Sequence, residues 1–111
     1  MRNEKNMNYS EAINKFVETI RVNSLEYYKK TGLTHLVENP DVVKVNKGRR
    51  FDKVVRGTSV YCFVEKSTGF IFKAATWRAP QLKTKNPVRG SIFETSTYES
   101  KAGPHGGWLY Q

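Results

Sequence analysis

Apolar residues recur at Ile13, Phe16, Val17 and Ile20, and again at Tyr27 or Tyr28, with Ser24 breaking the stripe. That spacing is one face of an amphipathic helix. Ser10 precedes the stripe as an N-cap, and Glu11 sits in a first turn that favours negative charge. Lys29 and Lys30 fall in the last turn, and Gly32 follows as a left-handed cap. The pattern predicts a helix over 10–31. Leu33–Val37 has no decisive period, and Asn39-Pro40-Asp41 reads as a turn.

Beyond Pro40 the period shortens. Val42–Asn46, Arg50–Arg56, Thr58–Glu65 and Phe70–Thr76 are β-branched and aromatic runs, separated by Asn46-Lys47-Gly48, Gly57 and Lys66-Ser67-Thr68-Gly69. Residues 81–91 form a basic loop with few apolar groups, expected to be mobile. Ile92-Phe93 is a short last strand or a tucked-in anchor. From Thr95 onward Ser, Thr and Gly dominate, which predicts a flexible tail. The expected fold class is α+β: one long N-terminal helix on a small antiparallel sheet of three or four strands. It divides into a disordered start (1–9), a single domain (10–94) and the tail (95–111).

Charge changes this picture. The formal net charge is +9, and it is segregated. Residues 1–41 hold six Lys/Arg and six Asp/Glu, whereas residues 42–111 hold thirteen Lys/Arg and four Asp/Glu. The strand-forming half thus carries the whole excess, a long-range attraction for polyanions. At 111 residues the chain can bury one modest core without disulfides or metal. The lone Cys62, inside an apolar run, is expected to be a small buried hydrophobe in a reducing cytosol. Neither a signal peptide nor a membrane-spanning run is expected.

Catalytic constellations are scarce. The histidines, His35 and His105, lie far apart in sequence, and the basic half offers only Asp52, Glu65, Glu94 and Glu99 as acids. Neither a two-carboxylate site nor zinc-ligand spacing can be assembled, and the isolated glycines match no phosphate loop. Glu65, at a hairpin end, reads as a solvated charge. No enzyme activity, metal or cofactor is expected.

Single-strand binding needs cations along a phosphate path and aromatic faces for bases. The candidates are Lys47, Arg49, Arg50, Lys53, Arg56, Lys73, Arg78, Lys83, Lys85 and Arg89 for phosphates, with Tyr61 and Phe63 for bases. Strand alternation puts Val60, Cys62 and Val64 on one face and Tyr61, Phe63 and Glu65 on the other. The small apolar face is expected under the helix, leaving Tyr61 and Phe63 outward as a stacking platform. The opposite assignment, with both rings packed as core, stays open. Trp77, before Pro80, is expected to cap the edge of the core.

The stretch Val60-Tyr61-Cys62-Phe63-Val64-Glu65-Lys66-Ser67-Thr68-Gly69-Phe70-Ile71-Phe72-Lys73-Ala74-Ala75-Thr76-Trp77-Arg78-Ala79-Pro80, followed by Arg89-Gly90, resembles small uncharacterised proteins of tailed bacteriophages. Their pattern reads FV(D/E)xxTGx(I/V)(Y/F)KAA(S/T)WxAP and then RG. The chain departs from it at Phe70, where a small acidic residue is expected, and in a lengthened Gln81–Lys85. The resemblance implies a source, a phage protein in the host cytoplasm, and no activity. The sequence thus leads to a non-catalytic binder of single-stranded DNA or RNA. The alternative is a small phage protein whose basic surface binds a host or defence protein.

Overall fold

The computed structural model describes residues 7–40 and 42–110. Helix α1 spans Tyr9–Thr31 and the short α2 Thr34–Glu38. Five strands follow: β1 (Val43–Asn46), β2 (Phe51–Arg56), β3 (Ser59–Glu65), β4 (Phe70–Phe72) and β5 (Gly90–Ser91). They form an antiparallel sheet in sequence order. The chain is therefore α+β, with one strand more than the sequence predicts, because Gly90–Ser91 pairs with Phe70–Ile71. None of the helices is long and apolar enough to cross a membrane, among the described residues.

α1 begins earlier than Ser10. The Asn8 side chain accepts from the Glu11 backbone N–H at 2.9 Å, and the Glu11 carboxylate reaches back to the Asn8 N–H. This reciprocal capping box satisfies two otherwise orphan donors. A cap at Ser10 would place Ile13 at the position that here holds Glu11, and no box could form. Met7 and Tyr9 pack against the core, so the expected disorder of 1–9 is corrected for 7–9. Its remainder, residues 1–6, and Asp41 of the expected turn lie outside the described residues. At the other end Gly32 adopts φ 77°, the left-handed cap that glycine reaches without strain.

The helix buries Ala12, Ile13, Phe16, Val17, Ile20, Ser24 and Tyr28. Ser24 fits this face because its hydroxyl donates to the Ile20 carbonyl at 2.6 Å. Ala12, Ile13, Phe16, Val17 and Ile20 share a core with Val43, Val54, Cys62, Val64 and Ile71 on the inner face of the sheet.

Simple alternation fails at one place. Val54 pairs with Cys62 but Val55 pairs with Val60, so Tyr61 is an extra residue in β3. Such a bulge re-aims a side chain. Tyr61 joins the same core as Cys62, at 6% exposure, instead of facing outward. Phe63 remains on the outer face but is 3% exposed, packed against the Phe51 ring with Lys53 over it. The outward stacking pair is therefore corrected: Tyr61 is core, and Phe63 is a covered floor.

The bulged tyrosine anchors the C-terminal segment. Its hydroxyl accepts from the Gly103 N–H at 3.2 Å and the Trp108 Nε1–H at 3.0 Å. Asn23 on α1 donates to the carbonyls of Glu99 and Ala102 at 2.8 and 2.6 Å. Tyr98 meets Phe16 edge-to-face, with centroids 4.8 Å apart. Arg56 donates to the Pro104 carbonyl. Tyr98, Ala102 and Leu109 are fully buried, so the expectation of a flexible 95–111 tail is corrected for 95–110; Gln111 lies outside the described residues. The segment is held by partners from α1, β2 and β3, which its own Gly- and Ser-rich composition cannot reveal.

β4 also stops earlier than Thr76. After Phe72 the chain folds into a tight loop in which Gln81 donates to Lys73 and Ala75 to Ala79, both at 2.9 Å. The Thr76 hydroxyl accepts from the N–H groups of Arg78 and Ala79, at 3.1 Å each, and turns the chain back.

Two outcomes follow for stability. Tyr98→Ala should cost about 3–5 kcal/mol, the range for truncating a buried aromatic. Tyr61→Phe should cost about 1–3 kcal/mol by stranding two donors. Urea denaturation of each variant measures both; wild-type stability in Tyr98→Ala would contradict a packed tail.

Candidate nucleic-acid interface

The outer face of the sheet carries Phe51, Lys53, Phe63 and Phe72, with Lys53 opposite Phe63 and Phe63 opposite Phe72. Phe51 meets Phe63 and Phe72 edge-to-face, at 6.4 and 5.8 Å between centroids. Phe51 and Phe63 form the floor of a groove of about 350 Å³. One wall is the turn Asn46–Arg50, and the other is the 73–81 loop, through Arg78 and Pro80.

The groove is lined by Lys47, Arg49, Arg50, Lys53 and Arg78, and among the described residues no Asp or Glu lines it. Lys53 lies over the Phe63 ring at 5.9 Å and over the Trp77 ring at 4.2 Å. The Arg50 guanidinium lies 4.8 Å above Phe51. Cations held against aromatic faces keep their charge at the surface while covering apolar area. Trp77 itself is 49% exposed at the tip of its loop, which corrects the expectation that it caps the core. The Thr76 turn presents it and Arg78 to solvent.

The acids of this half explain why the groove stays positive. Asp52, on the inner side of β2, is buried and accepts from the Tyr9 hydroxyl at 2.9 Å and the Gly48 N–H at 3.1 Å. Lys66 stands 3.8 Å away and donates to the Gly48 carbonyl at 2.9 Å. Burial, and then the bond to Asp52, push the Tyr9 hydroxyl well above its usual pKa, so it remains a donor. Gly48 is required here, because a Cβ would lie 2.3 Å from the Phe51 carbonyl oxygen. Burial alone pushes the Cys62 thiol far up, which makes it an inert core group.

Glu65 is not the solvated charge that its hairpin position suggests. It is buried, accepting from the Thr68 hydroxyl at 2.8 Å and from Arg50 at 2.9 Å. It neutralises Arg50 alone. Among the described residues, no carboxylate lies within 4.0 Å of Lys47, Arg49, Lys53 or Arg78.

The structure thus brings together six of the sequence candidates: Lys47, Arg49, Arg50, Lys53, Phe63 and Arg78. Arg56 and Tyr61 serve the C-terminal segment instead. Lys73, Lys83 and Lys85 do not line the groove, and Arg89 lines a different one beside β5. Phe51 joins them in lining the groove, and Trp77 stands beside it against Lys53. Their signal was present in sequence, as aromatics flanked by Arg50 and Arg78, but exposure is a property of the fold.

The Thr68 hydroxyl, and then Arg50, hold the Glu65 carboxyl below its ordinary value of 4.5. A lowered folded value contributes stability that is complete above the ordinary value and is lost as pH falls through the lowered one. Unfolding free energy should therefore decline below pH 4.5, and Glu65→Gln should decline less steeply. Denaturant titrations at descending pH measure this; an identical decline in the variant would contradict the assignment.

A family model described as "Family of unknown function (DUF7717)" matches residues 1–111, and the chain belongs to that family. No curated protein and no solved structure matches it.

Proposed function

We propose that this protein is a non-catalytic nucleic-acid binder that takes single-stranded DNA or RNA in preference to duplex, in the groove between the Asn46–Arg50 turn and the 73–81 loop. The observation that carries the reading is the combination in one groove of cations without facing carboxylates and an aromatic floor. Phosphates are attracted to Lys47, Arg49, Lys53 and Arg78, with release of counterions. The exposed Trp77 ring offers a face on which an unpaired base stacks.

A duplex hides its base faces and is read by an element that enters a groove. α1 is ill suited to that role: it carries three Glu against four Lys/Arg and buries one side on the sheet. Single strands suit a ring at a loop tip beside a basic trough. The resemblance of residues 60–80 to tailed-phage proteins supports a phage-encoded protein acting in the host-cell cytoplasm.

Fluorescent single strands and duplexes titrated at two salt concentrations provide the test. Replacing Lys47, Arg49 and Arg78 by Ala should weaken binding to every sequence. It should also flatten the salt slope by about one unit for each phosphate no longer neutralised. Trp77→Ala should cost about 1–3 kcal/mol of single-strand affinity and spare duplex binding. Wild-type affinity in both variants would remove the groove from the interface and leave an acidic protein as the partner to seek.

A further inference from the structure

A second groove, of about 390 Å³, lies beside β4 and β5 and is lined by Phe70, Val88, Arg89, Ser91 and Lys101, with Glu94 as its one carboxylate among the described residues. Phe70 is 39% exposed, unusual for a phenylalanine inside a strand. It stands on the same face of the sheet as the first groove. Phe63 pairs with Phe72, so strand alternation places Phe70 outward with Phe72, Phe63 and Phe51.

The two grooves are related by the strand register. Phe51 is opposite Glu65 on β3, and the β3–β4 register sets Phe70 beyond Glu65 in the same cross-strand row. Phe51 and Phe70 are then two strand spacings apart, about 10 Å. The gap is bridged by a cation: Arg50 reaches over Phe51 and bonds to Glu65, with its own side chain 66% exposed. The row therefore runs from an aromatic-floored basic groove, past an exposed guanidinium, to an exposed aromatic ring beside Arg89 and Lys101.

Resting on the reading of the first groove as a single-strand site, we infer that the Phe70 groove is a second subsite for the same strand. It stacks one base on Phe70 and takes a phosphate at Lys101. The strand crosses the sheet perpendicular to β2–β4, over Arg50. An interaction of this kind is sequence-tolerant, because every base has a stacking face, and it adds affinity only to strands long enough to reach both grooves.

The test uses the full chain with oligothymidylate and oligouridylate of about four and about twelve nucleotides, the span of site sizes among single-strand-binding folds. The two sugars reveal whether the subsite distinguishes DNA from RNA. Phe70→Ala should leave the short strands' affinity unchanged and reduce that of the long strands about tenfold. Lys101→Glu, at an exposed position, should act likewise and keeps the test sound if Phe70→Ala lowers stability. Long-strand affinity unchanged in both variants, while Trp77→Ala still weakens both lengths, would overturn the second subsite and leave the first intact. Failure of every strand to bind the unaltered protein would overturn both.

Discussion

The Asp52 carboxylate sits inside the protein, and what converges on it ties the molecule together. Tyr9 reaches it from the first turn of α1, the Gly48 N–H from the β1–β2 turn, and Lys66 from the β3–β4 turn. A buried charge is tolerated only with such partners, and removing any one leaves the rest desolvated without compensation. Helix placement and the shape of the basic turn therefore depend on one side chain. Because Asp52 points inward, the neighbours that alternate with it, Phe51 and Lys53, point outward into the groove.

Glu65 completes this arrangement from the other side of the sheet. It holds Arg50 across Phe51 and is itself covered. Two of the four acids in the basic half are thus used internally, and each organises a turn that carries cations. The positive groove results from where the acids are placed as much as from the number of Lys and Arg. An unopposed cluster of this kind is costly in self-repulsion, and a polyanionic ligand relieves it.

Much of this was legible in the chain itself. The period of α1, its Gly32 cap and the turns at Gly48, Gly57 and Gly69 are local signals, and the helix and first four strands follow them. The charge segregation placed the cation excess in residues 42–111, the half that holds the strands and the groove. What remained hidden was non-local. The bulge that turns Tyr61 inward shows only in the pairing of β2 with β3. The ordering of residues 95–110 depends on Asn23, Phe16 and Arg56, each more than forty residues from its partner in sequence. β5 is two residues long and carries a glycine, so no propensity marks it. The exposure of Trp77 follows from the Thr76 turn, which reverses the chain at the tip of the loop beyond β4.

The two tryptophans make the most direct measurement available. Trp77 stands at the groove, and Trp108 donates its indole N–H to Tyr61 in the core. In a nitrogen-15 spectrum each indole gives its own signal. On titration with oligothymidylate at low salt, the Trp77 indole resonance should shift in step with binding while that of Trp108 stays in place. A shift confined to Trp108, or binding that leaves both signals unmoved, would contradict a nucleic-acid site on this face of the sheet.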